Sequence, residues 1–422
     1  MGVVRFAWFS ESSLPDVALC FELHQPLRLR RWPKDYAFSD FEADRLLESY
    51  FDYGFTRAIF QRAAGKSYYP ATRLLLDLVR TSTQDGSPFK LAFSLSGCFI
   101  EQCEAFEPGL LDIFRELVDT GSVEFLSETY YHSLAYFFKG SEEFEEQVRM
   151  HQNLTKRLFG YQPSTFQNTE MIYCNGVAKR AEELGFKGIY TEGTEKILGN
   201  RSPNFVYRPD GRKQIKLLLR NYQLTDDIAF RFSLRTWPGW PLTAEKYARW
   251  LADTPGDCIS IFMDFETLGE HHWEATGIFD FLKYLPRELS KYSQLNCVTP
   301  SEAIQRHDVA GEIEVQDSNP VSWADLERDT SAWLLNKMQL DSFERLRKLE
   351  PQLKRLGDPY LLKAWRYLQT SDHIYYMSTK SGPTGEVHSY FSPYSSPQFA
   401  YETFTRAISD LEQRAGIADH LQ

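Results

Sequence analysis

The sequence predicts an α/β protein in which a parallel β-sheet, closed as a barrel, is followed by an all-helical C-terminal domain. Short apolar runs alternate with helical segments over roughly 280 residues, which is the pattern of a parallel sheet with crossover helices. Seven or eight of these runs have the length and composition of buried strands. Beyond about residue 330 the segments are helical, so the barrel is expected to end before that point.

Each strand is predicted from a short run of apolar residues bounded by turn-forming residues. The predicted strands occupy residues 17–21, 89–96, 123–126, 165–169, 186–190, 216–220, 258–264 and 294–298. The predicted helices occupy residues 40–64, 71–81, 108–119, 141–159 and 175–184, and then 330–348, 351–356, 360–370 and 398–413. Gly185 stands where a left-handed residue commonly ends a helix. Thr299, Pro300 and Glu302 have the spacing of a capping box, which predicts a helix start. The expected domains are a short extension (1–16), the barrel (17–315) and a helical domain (316–422).

The composition is that of an ordinary soluble protein, with 42% hydrophobic and 25% charged residues among 422. A net charge of −11 repels nucleic acid and anionic membranes, so neither is expected as a partner. The sequence has no apolar run of membrane-spanning length and no N-terminal signal-peptide pattern, which predicts a cytoplasmic protein. Six scattered cysteines fit buried, reduced thiols. The sequence does not indicate an oligomeric state.

The strand that ends at Asp264 leads into a dense group of ionisable residues. Ile259, Ile261 and Met263 alternate with the residues between them, so Asp264 and Glu266 are expected to project to one side. Two carboxylates on one face are costly to bury unless they have a function. The carboxyl ends of parallel strands are also where α/β proteins place their chemistry. The simpler alternative, a solvated strand end, is disfavoured by the further Glu, His and Trp residues that follow at once.

Ionisable residues follow the other well-marked strands as well. They are Glu22 and His24 after the first strand, Glu101 after the second, Glu128 and His132 after the third and Glu170 after the fourth. Paired carboxylates without a phosphate loop suggest cleavage of a glycosidic bond, in which one attacks or stabilises the anomeric carbon and the other donates a proton. Asp264 and Glu170 form the best pair because each ends a clear strand. Taken singly, Glu170 could be a helix-terminal carboxylate, and His24 could be a buried histidine bonded to the backbone.

Zinc binding is the competing interpretation of the same residues, since His24, His132, His271 and His272 could join Asp264 as ligands. The sequence lacks the histidine spacings of helical zinc sites, and adjacent histidines rarely bind one ion together. We therefore expect no catalytic metal and no cofactor. A metal-dependent deacetylase-like or mannosidase-like enzyme on a similar barrel stays open as an alternative.

Five short segments of the chain resemble the motifs of glycoside hydrolase family 57, the retaining α-glucan-active enzymes. They lie at residues 24–26, 97–102, 166–173 and 263–271, and near Trp365 with residues 371–377. The third and fourth segments carry Glu170 and Asp264, 94 residues apart, and together they are highly specific. The resemblance runs from about residue 17 to the last helix. The sequences of the motifs look most like those of the compact α-amylase branch.

The resemblance implies a (β/α)7-type barrel, a helical domain over the cleft and no required metal. By residue match, Glu170 corresponds to the nucleophile and Asp264 to the general acid/base. The predicted substrate-binding residues are His24, Glu101, His132, Glu266, His271, Trp273, Trp365 and Asp372. For each Trp, packing in the core is at least as good an explanation as stacking on a sugar.

The implied activity is retaining hydrolysis of α-1,4-glucans such as starch, glycogen or maltodextrin. A 4-α-glucanotransferase on the same scaffold is the nearest alternative. A non-catalytic carbohydrate-binding protein is disfavoured because both catalytic carboxylates are present.

Overall fold

Nine strands are found in the part of the chain that the computed structural model describes, residues 15–417 without 34, 35, 37, 39–41 and 294. They are β1 (Asp16–Leu23), β2 (Leu91–Leu95), β3 (Val123–Leu126), β4 (Thr165–Gln167), β5 (Gly188–Glu192), β6 (Arg208–Pro209), β7 (Lys216–Arg220), β8 (Cys258–Asp264) and β9 (Glu312–Ile313). Seven of them form one parallel sheet in the order β3-β2-β1-β8-β7-β5-β4, while β6 pairs with β9. All but two residues of the predicted N-terminal extension lie outside the described residues.

The two edge strands of the sheet meet, which closes it into a barrel. The backbone N–H of Ser127, just after β3, donates to the carbonyl of Thr165 on β4 at 2.9 Å. The N–H of Gln167 returns a bond to the Ser127 carbonyl at 2.8 Å. The predicted seven-stranded barrel is therefore confirmed, and its strands are apolar runs because helices cover the outside while side chains fill the inside.

Helices connect the strands and continue after the barrel. Those up to the end of the barrel are Leu46–Tyr50, Tyr53–Ala63, Tyr69–Gln84, Gly97–Phe106, Pro108–Asp119, Glu143–Phe159, Asn175–Glu183, Glu195–Leu198, Tyr222–Ala229, Ala244–Asp253, Ile278–Leu289 and Pro300–Arg306. Those that follow are Lys337–Leu356, Pro359–Leu368, Ser371–Tyr375, Gly382–Phe391 and Pro397–Arg414. The predicted capping box at Thr299 and Glu302 is formed. None of the helices within the described ranges is long and apolar enough to cross a membrane.

Three element predictions are wrong. The described part of the helix predicted at 40–64 is broken at Phe51, which makes an isolated bridge to Leu29. Residues 295–298, the described part of the predicted eighth strand, form no strand, and Cys297 makes an isolated bridge to Val17. The helices predicted at 330–348 and 351–356 are one helix, Lys337–Leu356, with Pro351 inside it. That helix begins where the Asn336 side chain accepts from Gln339 N–H and Gln339 bonds back to the Asn336 backbone.

The C-terminal helices lie against the rim of the barrel at the carboxyl ends of its strands. The N–H of Ser371 donates to the carbonyl of His132 at 2.9 Å. Arg366 pairs with the buried Glu143 at 2.7 Å, and Lys363 pairs with Glu101 at 2.9 Å. The helical part therefore borders the end of the barrel where the ionisable residues gather, although the exact domain limits stay a prediction.

Candidate active site

The barrel interior changes from apolar to ionisable at the carboxyl ends of the strands. Along β1, Ala18 and Cys20 belong to the apolar cluster inside the barrel, and Glu22 is the next residue on the same side. Along β8, Phe262 belongs to this cluster and Asp264 follows it on the same side. Strand alternation therefore carries both carboxylates to one end of the interior.

Glu170 lies in a strained turn directly after β4. Its backbone has φ 59° and ψ 26°, and the next residue, Met171, has φ 50°. Side chains seldom adopt this left-handed conformation, and such strain is common at functional sites. The Asn168 side chain holds the turn by donating to the carbonyl of Ile172 at 2.9 Å.

Three donors surround the carboxylate of Glu170. The indole Nε1–H of Trp323 donates to Oε2 at 2.9 Å, and the hydroxyl of Ser371 donates to Oε1 at 3.1 Å. The Nε2 of His132 lies 3.5 Å from Oε1. The side chain of Glu170 keeps 19% of its surface exposed, so it is fixed in direction and still open to the cleft. This is the arrangement that an ionised nucleophile needs.

Asp264 contrasts with Glu170, because among the described residues its side chain has no hydrogen-bond partner and it is exposed to solvent. The protein around the cleft removes part of the water from the Asp264 carboxyl group. This desolvation, followed by the negative charges of Glu266 and Glu170, raises the pKa of Asp264 to about 7. A carboxyl group with such a pKa can hold a proton near neutrality and give it to a leaving oxygen.

Glu266 is placed by contacts with a π-helical turn rather than by strand alternation. β8 ends at Asp264, and Glu266 lies in the 3-10 turn Phe265–Thr267. The hydroxyl of Tyr68, at the end of the π turn Ala64–Tyr68, donates to Glu266, as does the Gln25 amide at 3.0 Å. Burial raises the pKa of Glu266 despite these bonds.

The loop after Glu266 packs tightly against the same π turn because of one glycine. Gly269 has φ 110°, and a Cβ at this position would stand 2.0 Å from the carbonyl oxygen of Lys66. A side chain is excluded both by the backbone conformation and by this contact. The glycine of the fourth motif therefore fixes the loop that presents Glu266 and His271.

His24 connects the barrel to the helical part. Its Nε2 lies 3.0 Å from Oδ2 of Asp372, and its Nδ1 lies 2.8 Å from the Ser96 hydroxyl. Burial and the nearby charge of His132 lower the pKa of His24, so Nε2–H donates to Asp372 and Nδ1 accepts from Ser96. Burial alone would raise the pKa of Asp372, but its contacts with His24 outweigh burial and hold that pKa well below its ordinary value.

Glu101 makes contacts that join the barrel to the helical part. Its Oε1 accepts from the Tyr130 hydroxyl at 2.7 Å. Its Oε2 accepts from Lys363 at 2.9 Å and from the Tyr367 hydroxyl at 2.7 Å. These bonds give Glu101 a clear structural role, and its contact with a sugar stays a prediction.

The two predicted stacking tryptophans have opposite environments. Trp365 is completely buried, and its Nε1–H donates to the carbonyl of Leu346 at 2.9 Å. The contact of Trp365 with substrate stays a prediction, and in this structure the buried ring offers no face to a sugar. Trp273 is 64% exposed and offers such a face. His271 lies beside Phe391, with 6.0 Å between ring centroids, and burial lowers its pKa to about 4.

Glu22, Glu128 and His132 are the group in the described part of the chain whose ligand-type atoms come close enough for a metal ion, within 4.8 Å of one another. The zinc ligands considered from the sequence do not form such a group in the described structure: His24, His132, His271, His272 and Asp264. His272 instead hydrogen-bonds the hydroxyl of Ser233 at 2.7 Å and a backbone carbonyl, as a buried structural histidine does.

Sequence reasoning missed the residues that hold Glu170. Trp323 lies outside every predicted element, in the chain that returns from the last barrel helix, and no sequence signal marks it. Ser371 falls in the fifth motif, but only Asp372 was singled out there. Glu22 and Glu128 were recognised at strand ends without a role. In the structure Trp323 and Ser371 bond Glu170 directly, and Glu22 and Glu128 contact His132 on the side away from Glu170.

Comparisons with known proteins agree with this architecture. A family model described as glycosyl hydrolase family 57 matches residues 18–316. A curated protein of Methanocaldococcus jannaschii, named "Putative alpha-amylase", is 46% identical over 401 residues, which are 93% of this chain and 83% of the relative.

Two solved structures are similar in fold. The 4-alpha-glucanotransferase of Thermococcus litoralis has a TM-score of 0.66 at 17% identity, with 95% of this chain covered. This chain spans only 60% of that enzyme's length. A branching enzyme of Thermococcus kodakaraensis has a TM-score of 0.65 at 14% identity, with 94% of this chain and 90% of the enzyme covered. At such identities these likenesses concern the fold alone.

Proposed function

Because the chain belongs to glycosyl hydrolase family 57 and is therefore a glycoside hydrolase, we propose that it cleaves α-1,4-glucans with retention, using Glu170 as nucleophile and Asp264 as general acid/base. The observation that carries this proposal is the contrast between the two carboxyl groups. Three polar groups face the carboxylate of Glu170, whereas Asp264 has no hydrogen-bond partner among the described residues and has a pKa raised to about 7. Two carboxyls with such opposed environments suit the two roles of a retaining glycosidase.

In the first step, a carboxylate oxygen of Glu170 attacks the anomeric carbon while Asp264 gives its proton to the departing glycosidic oxygen. The bond from C1 to that oxygen breaks, and a glycosyl ester of Glu170 forms. In the second step, Asp264 takes a proton from water, whose oxygen attacks C1 and releases Glu170 as a carboxylate. We expect the two carboxyl groups to stand roughly 5–5.5 Å apart in the working complex, as retention requires.

The sugar in this proposal lies between Glu170 and Asp264, with further polar groups around it. Asp372 and Glu266 would accept bonds from its hydroxyl groups, and the exposed indole of Trp273 would stack on a neighbouring ring. The α-glucan assignment is supported by the name of the Methanocaldococcus relative, "Putative alpha-amylase".

The direct test is incubation with maltoheptaose, with products separated by chain length and the new anomeric centre followed by NMR. Hydrolysis gives shorter oligosaccharides that first appear as the α-anomer, and Glu170→Gln and Asp264→Asn should each abolish them. Products longer than the substrate would mean that a sugar hydroxyl resolves the ester, which is the glucanotransferase alternative. First appearance of the β-anomer would overturn the retaining mechanism.

The metal-dependent alternative is tested by dialysis against a strong chelator. We expect the rate of maltoheptaose cleavage to stay unchanged. Loss of activity that zinc restores would contradict a mechanism based on two carboxyl groups.

A further inference from the structure

A buried pair of carboxyl groups lies behind the candidate nucleophile, on the far side of His132. The Nδ1 of His132 stands 2.9 Å from Oε2 of Glu128 and 3.5 Å from Oε1 of Glu22. Its Nε2 faces Oε1 of Glu170 at 3.5 Å. One imidazole ring therefore separates two inner carboxyl groups from the outer one.

This cluster is shielded from water. The exposed fractions are 3% for Glu22, 0% for Glu128 and 3% for His132. Several negative charges cannot be buried together without compensation, so protons must be distributed among these groups. Only Glu170 at the outer end has appreciable contact with solvent.

Hydrogen bonds indicate where the protons reside. Glu128 accepts from the Ser94 hydroxyl at 2.9 Å and from His132, which is the bonding of an ionised carboxylate. Burial alone would raise the pKa of Glu128, but the bond from His132 outweighs it and lowers that pKa. In Glu22, Oε1 has no hydrogen-bond partner, and burial raises its pKa well above the ordinary value. Glu22 is accordingly the neutral member of the pair.

His132 is then the cation of the cluster. Burial alone would lower its pKa, but the one negative charge of the inner pair Glu22 and Glu128, with the hydrogen bonds to Glu128 and Glu170, raises it well above the ordinary value. With Nδ1–H directed to Glu128, the other proton, on Nε2, is directed to Glu170. The backbone of His132 has φ 50°, a conformation uncommon for side-chain-bearing residues, and the barrel holds it in this orientation.

We propose that Glu128 is a positioning residue which, with neutral Glu22 beside it, keeps His132 as an imidazolium, and that this buried cation keeps Glu170 ionised for attack. The inference rests on the proposed role of Glu170 and adds the reason why that residue stays charged among other acids. Loss of the Glu128 charge would leave His132 free to lose its proton, and Glu170 would then face a neutral ring instead of a cation.

The other ionisable groups around His132 fit this arrangement. His24 stacks on its ring with 4.1 Å between centroids and is neutral, so it does not compete for the carboxylates. His151 lies behind Glu128 and bonds the Leu95 carbonyl at 2.7 Å, and burial lowers its pKa. Asp372 also faces the cluster, and its negative charge favours the cation. Asp264 adds negative charge only after it has given up its proton.

The test compares three carboxyl-to-amide substitutions by the pH dependence of kcat/KM on maltoheptaose. Glu128→Gln should move the acid limb upward by about one pH unit, as expected when a cation within about 4–6 Å is lost. Glu22→Gln replaces a neutral carboxyl by a neutral amide and should move that limb by less than about half a unit. Glu124→Gln is the matched control. Glu124 is a buried carboxyl on β3, the strand that precedes Glu128, but it accepts from Ser301 N–H at 2.8 Å, away from the site.

A second measurement does not depend on activity. In 15N-histidine spectra, assigned with His132→Gln, both nitrogens of His132 should be protonated at pH 7 in the unmodified enzyme and should lose a proton near the ordinary histidine range in Glu128→Gln. If Glu128→Gln does not fold, His132→Gln carries the kinetic test, because it keeps an N–H toward Glu170 without the charge.

The inference is overturned if His132 is neutral at pH 7, if Glu22→Gln and Glu128→Gln move the acid limb equally, or if the purified enzyme holds one zinc per chain at this cluster. An enzyme that cleaves no α-glucan would refute the proposed function, and the histidine spectra would still decide the charge of His132.

Discussion

The bond from Trp323 to Glu170 makes a prediction that can be worked through quantitatively. Trp323→Phe keeps an aromatic ring and removes the indole N–H that donates to Oε2 of Glu170 at 2.9 Å. In the glycosyl ester this oxygen carries little charge, and in the second step the charge returns. The bond therefore strengthens as the ester is hydrolysed, and its loss slows that step most.

A hydrogen bond to a charged group is worth about 1.5–3 kcal/mol, and about 1.4 kcal/mol corresponds to a factor of ten in rate. Trp323→Phe should therefore lower kcat about ten- to a hundredfold. The hydroxyl of Ser371 and His132 still contact Oε1, so the carboxylate keeps part of its support. KM should fall together with kcat because the glycosyl enzyme accumulates.

The assay is steady-state and pre-steady-state kinetics with an aryl α-maltooligoside, in which a burst of phenol reports accumulation of the ester. Trp333→Phe is the control: Trp333 is buried and Trp323 is partly buried, but the Nε1–H of Trp333 has no partner in the described structure. Thermal unfolding of both variants separates lost packing from lost chemistry. The reasoning is refuted if the two variants lower kcat equally, or if Trp323→Phe shows no burst and an unchanged KM.

Three further predictions concern the acid, the helical part and the core. Asp264 acts as an acid only while protonated, so kcat/KM should fall as pH rises through about 7. Glu266→Gln removes a charge that raises the pKa of Asp264 and should move this limb of the pH profile to lower pH. A shift to higher pH would contradict the assignment. Asp372→Ala should lower kcat/KM by about two to four powers of ten with an unchanged circular dichroism spectrum, and normal turnover would make Asp372 a part of the scaffold only. Trp365→Ala should cost about 3–5 kcal/mol of unfolding free energy in a denaturant titration because the ring is fully buried; a loss of activity per folded molecule at unchanged stability would support its predicted contact with substrate.

The barrel could be predicted because the burial of each strand is visible in a short run of its own residues. A strand buried on both faces has to be an apolar run, and seven such runs stand where the structure has parallel strands. The family resemblance, read from short motifs, is likewise confirmed by the match over residues 18–316. The predicted strand at 294–298 failed because a run of that length also fits a loop. Among its described residues Cys297 makes one isolated bridge to Val17, and Asn296 and Val298 bond the Val17 backbone without extending a ladder.

Alternation within strands placed some site residues correctly and others not. Asp264 is the last residue of β8, so its side follows from the strand itself. Glu266 lies beyond the strand, where alternation no longer applies, and its position depends on the distant π turn that carries Tyr68. Trp365 shows the converse, since a motif-associated aromatic was assigned to the cleft and only packing could reveal it as core.

The donors to Glu170 lay beyond sequence reasoning because they come from separate parts of the fold. His132 belongs to the barrel, whereas Trp323 and Ser371 lie 153 and 201 residues after Glu170 in the chain. Trp323 and Ser371 reach Glu170 only because the chain after the barrel returns to the rim, where Ser371 N–H bonds the carbonyl of His132. The barrel thus supplies the carboxylate and one cationic neighbour, and the later chain supplies the two neutral donors. In the proposed mechanism the nucleophile stands on a strained turn and needs support on both oxygens, so we expect the segment from 321 to 371 to belong to the catalytic apparatus as much as the strands do.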